Sequence, residues 1–246
     1  MTRRSRLCIP NLPHHIVQRG HNRHVVFSSD ADRLAYLSTL AEFRRELGVK
    51  VHAWCLMTNH VHLVVDPGED RANLGRLMKR LAGRHTRRVN RIESKTGTAW
   101  EGRYKCSPID SRRYLLACTR YVELNPVRAG VSGDPAEFRW SSYRSRMGWD
   151  STGAGMLDLD PCFLSLGTTP EEQRSVFREW VAAGVTAPEL QFIREALQGN
   201  RLTGTEEFSL ELERQADLRI PCRKRGRPQT KRDGEKGTDL ISRPEK

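Results

Sequence analysis

The first 125 residues alternate between short apolar runs bounded by turn residues and longer stretches in which apolar side chains recur every three or four positions. The short runs predict strands and the longer stretches predict helices. The strands are predicted at residues 14–20, 49–57, 60–65 and about 105–109. The helices are predicted at residues 30–47, 71–92 and 110–124. The first six elements follow the order β-α-β-β-α-β, which is typical of ferredoxin-like folds. We therefore expect an α+β protein with an RRM-like antiparallel sheet and helices on one face.

Turn and cap residues set the boundaries of these elements. Gly48 ends the first predicted helix, and Thr58-Asn59 is a turn signal that joins the second and third strands into a hairpin. Asp110 or Ser111 is a suitable N-cap for the third helix. Pro126 is expected to end that helix.

The character of the sequence changes after residue 150. Thr169-Pro170-Glu171-Glu172 is a capping box with proline at the first helical position, and it predicts a helix to about Ala183. Two more helices are predicted at 187–198 and 205–218, and the basic tail that follows is expected to be disordered when unbound. The expected organisation is a main domain at 1–150, an acidic helical appendage at 151–218 and a tail at 219–246.

The charge is unevenly distributed along the chain. Its 246 residues hold 42 Lys and Arg against 30 Asp and Glu, a net charge of +12, and 34 of the 42 basic residues are arginine. The net charge is +13 over residues 1–150, −7 over 151–218 and +6 over 219–246. Arginine forms bidentate contacts with phosphate, so a polyanion such as nucleic acid is the leading candidate partner. The alternative is a basic surface that only keeps the protein in solution.

The sequence also narrows the class and compartment of the protein. No apolar run approaches the roughly 18 residues that a membrane helix needs, so we expect no membrane insertion. The basic N-terminus is followed by too few apolar residues for a signal peptide, which favours the cytoplasm, in association with the nucleoid. The six cysteines include no C-x-x-C pair, which argues against a zinc knuckle or a dense disulfide framework.

His60-Val61-His62 is the sharpest chemical signal. Side chains at positions i and i+2 of a strand point to the same face, so the two imidazoles are expected to project together. Two adjacent imidazoles form a good partial site for a divalent cation. The alternative is a pair of half-exposed histidines on a polar face.

A second signal lies near the end of the third predicted helix. Tyr121 and Asn125 are four residues apart and share a helix face if the helix reaches Asn125. The phenol could be a nucleophile and the carboxamide oxygen could complete a metal site. The alternatives are a core tyrosine and a helix C-cap. Tyr114, two turns earlier, competes with Tyr121 for the role of nucleophile.

Several residues could bind nucleic acid. Trp100 and Arg103, in a glycine-flanked loop, could stack on an unpaired base and hold a phosphate, unless the tryptophan fills the core. The tail sequence RKRGRP, with Arg225 and Arg227, is similar to an AT-hook, although ordinary basic tails contain the same motif. A basic helix could follow the strand backbone, or could present a merely solvated face. Its candidate contacts are Arg76, Lys79, Arg80, Arg84, Arg87 and Arg88.

Five stretches taken together resemble the REP-associated tyrosine transposases, a branch of the single-tyrosine HUH transposase superfamily. They are HHIVQRG at 14–20, MTNHVHLV at 57–64, WEGRYK at 100–105, RYVELNPVRAG at 120–130 and WSSY at 140–143. The resemblance implies a ferredoxin-like fold with His60 and His62 as the metal pair, Tyr121 as the nucleophile and Asn125 as the third ligand.

The resemblance also implies an activity. A protein of this family would bind Mg²⁺ or Mn²⁺ and cleave single-stranded DNA at hairpin-forming, REP-type repeats through a 5′-phosphotyrosine, and a second strand would then be joined. The sequence leaves open a repeat-binding regulator without catalysis and a metal-dependent hydrolytic nuclease. It also leaves open whether the active unit is a monomer or a homodimer.

Overall fold

The fold centres on a four-stranded antiparallel sheet. The computed structural model describes residues 6–110, 113–150, 152 and 155–216. The strands are β1 (His14–Arg19), β2 (Lys50–Met57), β3 (His60–Asp66) and β4 (Lys105–Pro108). Their order in the sheet is β2-β3-β1-β4, and every neighbouring pair is antiparallel. This arrangement confirms the predicted α+β, ferredoxin-like fold.

Alternation along the strands divides the sheet into two faces. Val61, Leu63 and Val65 of β3 point to one face and are fully buried in the largest apolar cluster. His60, His62 and Val64 point to the opposite face, as the two-residue period of a strand requires. We call this opposite face the histidine face.

Two long helices cover the face opposite the histidines. They are α1 (Asp30–Leu47) and α2 (Ala72–Glu93), close to their predicted bounds. Ser29 and Asp32 form a capping box at the start of α1, and Gly48 ends the helix at φ 65°, a conformation that favours glycine. The apolar side of α2 packs into the same core.

The histidine face is covered by α3 (Leu115–Glu123), which begins later than predicted. The backbone N–H of Asp110 donates to the carbonyl of Thr203, so the chain bonds to a distant segment before the regular helix begins. Pro126 does not end the helical path, because the short helix α4 (Asn125–Arg128) follows directly and holds the proline in its first turn, where no N–H is required. Ser111, the alternative N-cap, lies outside the described residues.

The residues after 150 extend the main domain and share its apolar clusters. Phe177 and Val181 pack against Leu124, and Ile193 joins the cluster on the histidine face. Thr169 caps its helix as predicted. The remaining helices are α5 (Tyr143–Arg146), α6 (Pro161–Leu164), α7 (Pro170–Ala182), α8 (Ala187–Gly199) and α9 (Glu206–Ala216).

Two further expectations concern the basic tail and the absence of a membrane helix. The predicted tail at 219–246, with Arg225 and Arg227, lies outside the described residues. Within the described ranges, the helices are all too short or too polar to span a bilayer.

Candidate functional site

The two histidines of β3 lie side by side on the histidine face. The ring centroids of His60 and His62 are 5.1 Å apart and their planes are inclined by 76°. His62 is buried in the middle of the sheet, whereas His60 lies nearer the end of the strand and is partly exposed. The strand period therefore brings the two rings together as predicted.

The described hydrogen bonds engage the same nitrogen of both rings. The Nδ1–H of His60 donates to Oδ1 of Asn59 at 2.6 Å. Nδ1 of His62 lies 2.9 Å from Nε2 of His15, which projects from β1 onto the same face. Nε2 is therefore the atom that each ring has left to offer to a cation.

Burial keeps both imidazoles uncharged at neutral pH. It lowers the pKa of His60 to about 4, and the neighbouring Arg19 contributes to the shift. Burial also lowers the pKa of His62 well below its ordinary value, with further contributions from the charges of His15, His60 and Arg128. Because a metal binds the neutral ring, these two side chains fit a divalent cation.

Tyr121 is the tyrosine that meets the histidines. Its ring centroid lies 5.9 Å from that of His62 and 5.3 Å from that of His15, in edge-to-face geometry, and its side chain is buried. Tyr114 lies at the start of α3 and packs against Phe192, with ring centroids 5.1 Å apart. The structure therefore brings Tyr121, and not Tyr114, beside the histidine pair.

Asn125 begins α4, one helical turn after Tyr121. Its Nδ2 lies 3.3 Å from the carbonyl oxygen of Tyr121 and 3.4 Å from that of Val122, so Oδ1 is the atom that could face a cation. Among the residues that the structure describes, no group of three or more His, Cys, Asp and Glu side chains is arranged to hold a metal. A third protein ligand among these residues would therefore be of another type, and a carboxamide such as that of Asn125 is of such a type.

Arg128 is a site residue that sequence reasoning missed. Its guanidinium lies over the ring of Tyr121, 3.9 Å from the centroid, and its Nη1 donates to the carbonyl oxygen of Tyr121 at 2.8 Å. Burial is the main cause of the lowered pKa of His15 and of His62, and the positive charge of Arg128 adds to both shifts. The seven-residue spacing from Tyr121, two helical turns, was the signal that could have found it.

The basic helix α2 is not part of this site. It packs on the opposite face of the sheet, and four of the predicted DNA contacts on it form ion pairs. These pairs are Arg76 with Asp70, Arg80 with Glu46, Arg84 with Glu42 and Arg88 with Asp32. Lys79 and Arg87 are exposed. On the histidine face, the exposed Arg19 pairs across the strands with His60, and sequence reasoning also missed it.

Trp100 does not have the exposure that base stacking requires. Its side chain is 2% exposed within the core cluster, and its Nε1–H donates to the carbonyl oxygen of Ala82 at 3.3 Å. The prediction that Trp100 stacks on a base is wrong in this structure, because the indole fills the core. Arg103, three residues later, is exposed and remains a candidate phosphate contact.

Comparisons with known proteins bear on the family and the fold. Residues 8–125 match the family model described as "Transposase IS200 like". A structure of a REP-associated tyrosine transposase bound to a REP hairpin gives a TM-score of 0.52 at 15% identity, covering 65% of this chain and 90% of that chain. A putative transposase from Deinococcus radiodurans gives a TM-score of 0.32 at 21% identity, covering 50% of this chain and 96% of that chain. No curated protein sequence matches the chain. The first structural likeness supports the fold.

Proposed function

Because residues 8–125 match the IS200-like transposase family, we propose that this protein cleaves and rejoins single-stranded DNA at hairpin-forming, REP-like repeats. The observation that carries the proposal is the contact of one tyrosine, Tyr121, with His62 of the histidine pair. A structural neighbour of the chain is bound to a REP hairpin, which supports the choice of substrate.

Each side chain of the site has a distinct role in this proposal. Nε2 of His60, Nε2 of His62 and Oδ1 of Asn125 would hold Mg²⁺ or Mn²⁺. The bound ion would polarise the scissile phosphate and offset its negative charge. Burial of the two imidazoles keeps their lone pairs available at neutral pH.

The oxygen of Tyr121 attacks the phosphorus and loses its proton. The new bond joins that oxygen to the 5′-phosphate, and the bond between phosphorus and the 3′ oxygen breaks. The departing oxygen takes up a proton and becomes a free 3′-OH. Attack on the phosphotyrosine by another 3′-OH reverses these steps and joins two strands without any external energy source.

Two arginines supply positive charge close to this reaction. Arg128, stacked on the ring of Tyr121, would help to offset the negative charge of the phosphate under attack. Arg19, exposed beside His60, is well placed to hold a strand phosphate. Other basic residues would contact parts of the hairpin away from the scissile bond. These are Arg103 and the basic side chains of α2, together with Arg225 and Arg227 of the tail.

The central experiment is a covalent-adduct assay with a labelled single-stranded hairpin oligonucleotide. Wild-type protein and Mg²⁺ should give a protein–DNA band that resists denaturation, and Tyr121→Phe should abolish it. Tyr114→Phe is the matched control and should form the adduct, because its ring packs against Phe192 away from the histidines. An adduct formed by Tyr121→Phe and lost in Tyr114→Phe would refute the assignment of the nucleophile.

The same assay separates two other functions. Hairpin binding without any metal-dependent adduct would identify a binding regulator, and the burial of Tyr121 is the observation that favours this alternative. A nicked product without a covalent intermediate would identify a hydrolytic nuclease in which Tyr121 is structural.

A further inference from the structure

His15 is a buried histidine of β1 that contacts His62 on the adjacent strand β3. It lies in the middle of β1, fully buried, and its Nε2 is 2.9 Å from Nδ1 of His62. The ring centroids of the two histidines are 5.2 Å apart. His14, the preceding residue, is equally buried but points to the other face, where its Nε2 accepts the backbone N–H of Ile9.

Only one proton can occupy the short contact between His15 and His62. A neutral imidazole carries one N–H, and its other nitrogen holds the lone pair that a cation needs. If His62 offers Nε2 to a cation, its proton must lie on Nδ1, and this Nδ1–H must donate a hydrogen bond to Nε2 of His15. In the reverse arrangement His15 donates, the proton of His62 moves to Nε2, and the metal position is blocked.

The second ring nitrogen of His15, Nδ1, does not fix the direction of its hydrogen bond with His62. Among the described residues, Nδ1 of His15 is buried and has no hydrogen-bond partner. No second hydrogen bond therefore fixes the His15 tautomer, and the ring can serve either as donor or as acceptor. A cation on Nε2 of His62 admits only the arrangement in which His15 accepts.

We propose that His15 is a positioning residue that orients the His62 ring and accepts a hydrogen bond from its Nδ1–H whenever a divalent cation is bound. The inference rests on the proposed function, because it takes His62 as a metal ligand. Outer partners that hold the second nitrogen of a metal-bound histidine typically change metal affinity by about 10- to 100-fold when they are removed.

The test measures Mn²⁺ binding to DNA-free full-length protein by calorimetry. His15→Leu removes the acceptor and should weaken binding by about 10- to 100-fold. His15→Gln places an acceptor oxygen near the position of Nε2 and should stay within about threefold of wild type, since it retains the hydrogen bond. His14→Leu is the matched control for loss of a buried histidine and should also bind as wild type does.

The outcomes separate this inference from the proposed function. Normal binding by His15→Leu, together with loss of binding in His62→Ala, would overturn the role of His15 and leave the metal site standing. Equal losses in His15→Leu and His15→Gln would show that packing, and not the acceptor, matters. No binding by wild type would overturn both proposals.

A second measurement does not depend on any variant folding. Nitrogen-15 NMR of wild-type protein with Mg²⁺ should find His62 protonated on Nδ1 and the Nε2 of His15 unprotonated. A His62 proton on Nε2 in the Mg²⁺-bound protein would overturn the inference.

Discussion

Replacing Arg146 should destabilise the fold more than replacing Arg144, the other arginine of α5. The Arg146 side chain is fully buried, and three elements converge on it. Its Nε donates to Oε1 of Glu123 at 3.1 Å, and its Nη2 donates to the carbonyl oxygen of His52 at 2.6 Å. Oδ2 of Asp160 lies 3.9 Å from its Nη1. One cation therefore faces two carboxyl groups in the interior.

The expected loss of stability on replacing Arg146 follows from this imbalance of charge. Arg146→Met keeps most of the volume but leaves both carboxyl groups without a cation. Breaking a buried ion pair by removing one partner costs about 3–5 kcal/mol. For a chain of this size, each kcal/mol lowers the melting temperature by about 2–4 °C, which gives a decrease of about 6–20 °C.

The matched control is Arg144→Met, on the same helix. Arg144 is partly exposed and lies 3.5 Å from a carboxylate oxygen of Asp150, a contact of the kind usually worth under about 1 kcal/mol. Unfolding by urea, followed by circular dichroism, measures both variants. If Arg146→Met loses no more stability than Arg144→Met, the reasoning is refuted.

The pH dependence provides an independent check. Burial raises the pKa of Glu123, and the charge of Arg146 opposes that rise. Without Arg146 the pKa rises further, so the folded variant binds more protons than the unfolded chain between the ordinary pKa of glutamate and the raised value. The free energy of unfolding of the variant must then fall as pH rises through that interval. Its deficit relative to wild type should be largest near neutral pH and should shrink in mild acid.

Three further predictions concern the site and the core. Arg128→Gln should slow adduct formation by about tenfold, which corresponds to the energy of a partly buried cation–π contact, and Arg128→Lys should restore part of the rate. Equal rates in the wild type and both variants would contradict the role of Arg128. Trp100→Ala should cost about 3–5 kcal/mol of stability in urea unfolding and leave the hairpin affinity of the folded protein within about twofold, whereas a large affinity loss at unchanged stability would restore the base-stacking role. Burial lowers the pKa of His14 to about 4, so its contribution to stability is fully present above pH 6.5 and is lost as pH falls towards 4, at up to about 1.4 kcal/mol per pH unit. His14→Leu should therefore flatten the plot of unfolding free energy against pH in this interval. Parallel plots for the variant and the wild type would be inconsistent with a neutral His14.

Residue spacing predicted most of the fold and the centre of the site. The strand period alone placed His60 and His62 on one face, and the structure brings their rings to 5.1 Å. Helical spacing also favoured Tyr121 with Asn125 one turn later. The inference about the strand succeeds because it depends on geometry within one strand, whereas the pairing of Tyr121 with Asn125 at the site stays a prediction.

Interpretations that depend on a distant partner were incomplete. Arginines on α2 look like a phosphate-binding row, yet four of them form ion pairs with carboxylates, and three of those carboxylates lie on α1. Trp100 resembles an exposed loop aromatic, yet the core beneath it takes up the indole. Local sequence could not identify the α1 carboxylates or the core residues around Trp100 as partners, because only the packing of the helices on the sheet brings them close.

The sequence by itself determined the order of the elements, the two faces of each strand and the residue types that can carry phosphodiester chemistry. Tertiary structure alone decided which of these residues meet. Antiparallel pairing of β1 with β3 puts His15 against His62, and α3 on the histidine face places Tyr121 beside both rings. The physical reason is range: dihedral preferences and periodicity act over a few residues, whereas these contacts join segments 47 or more positions apart.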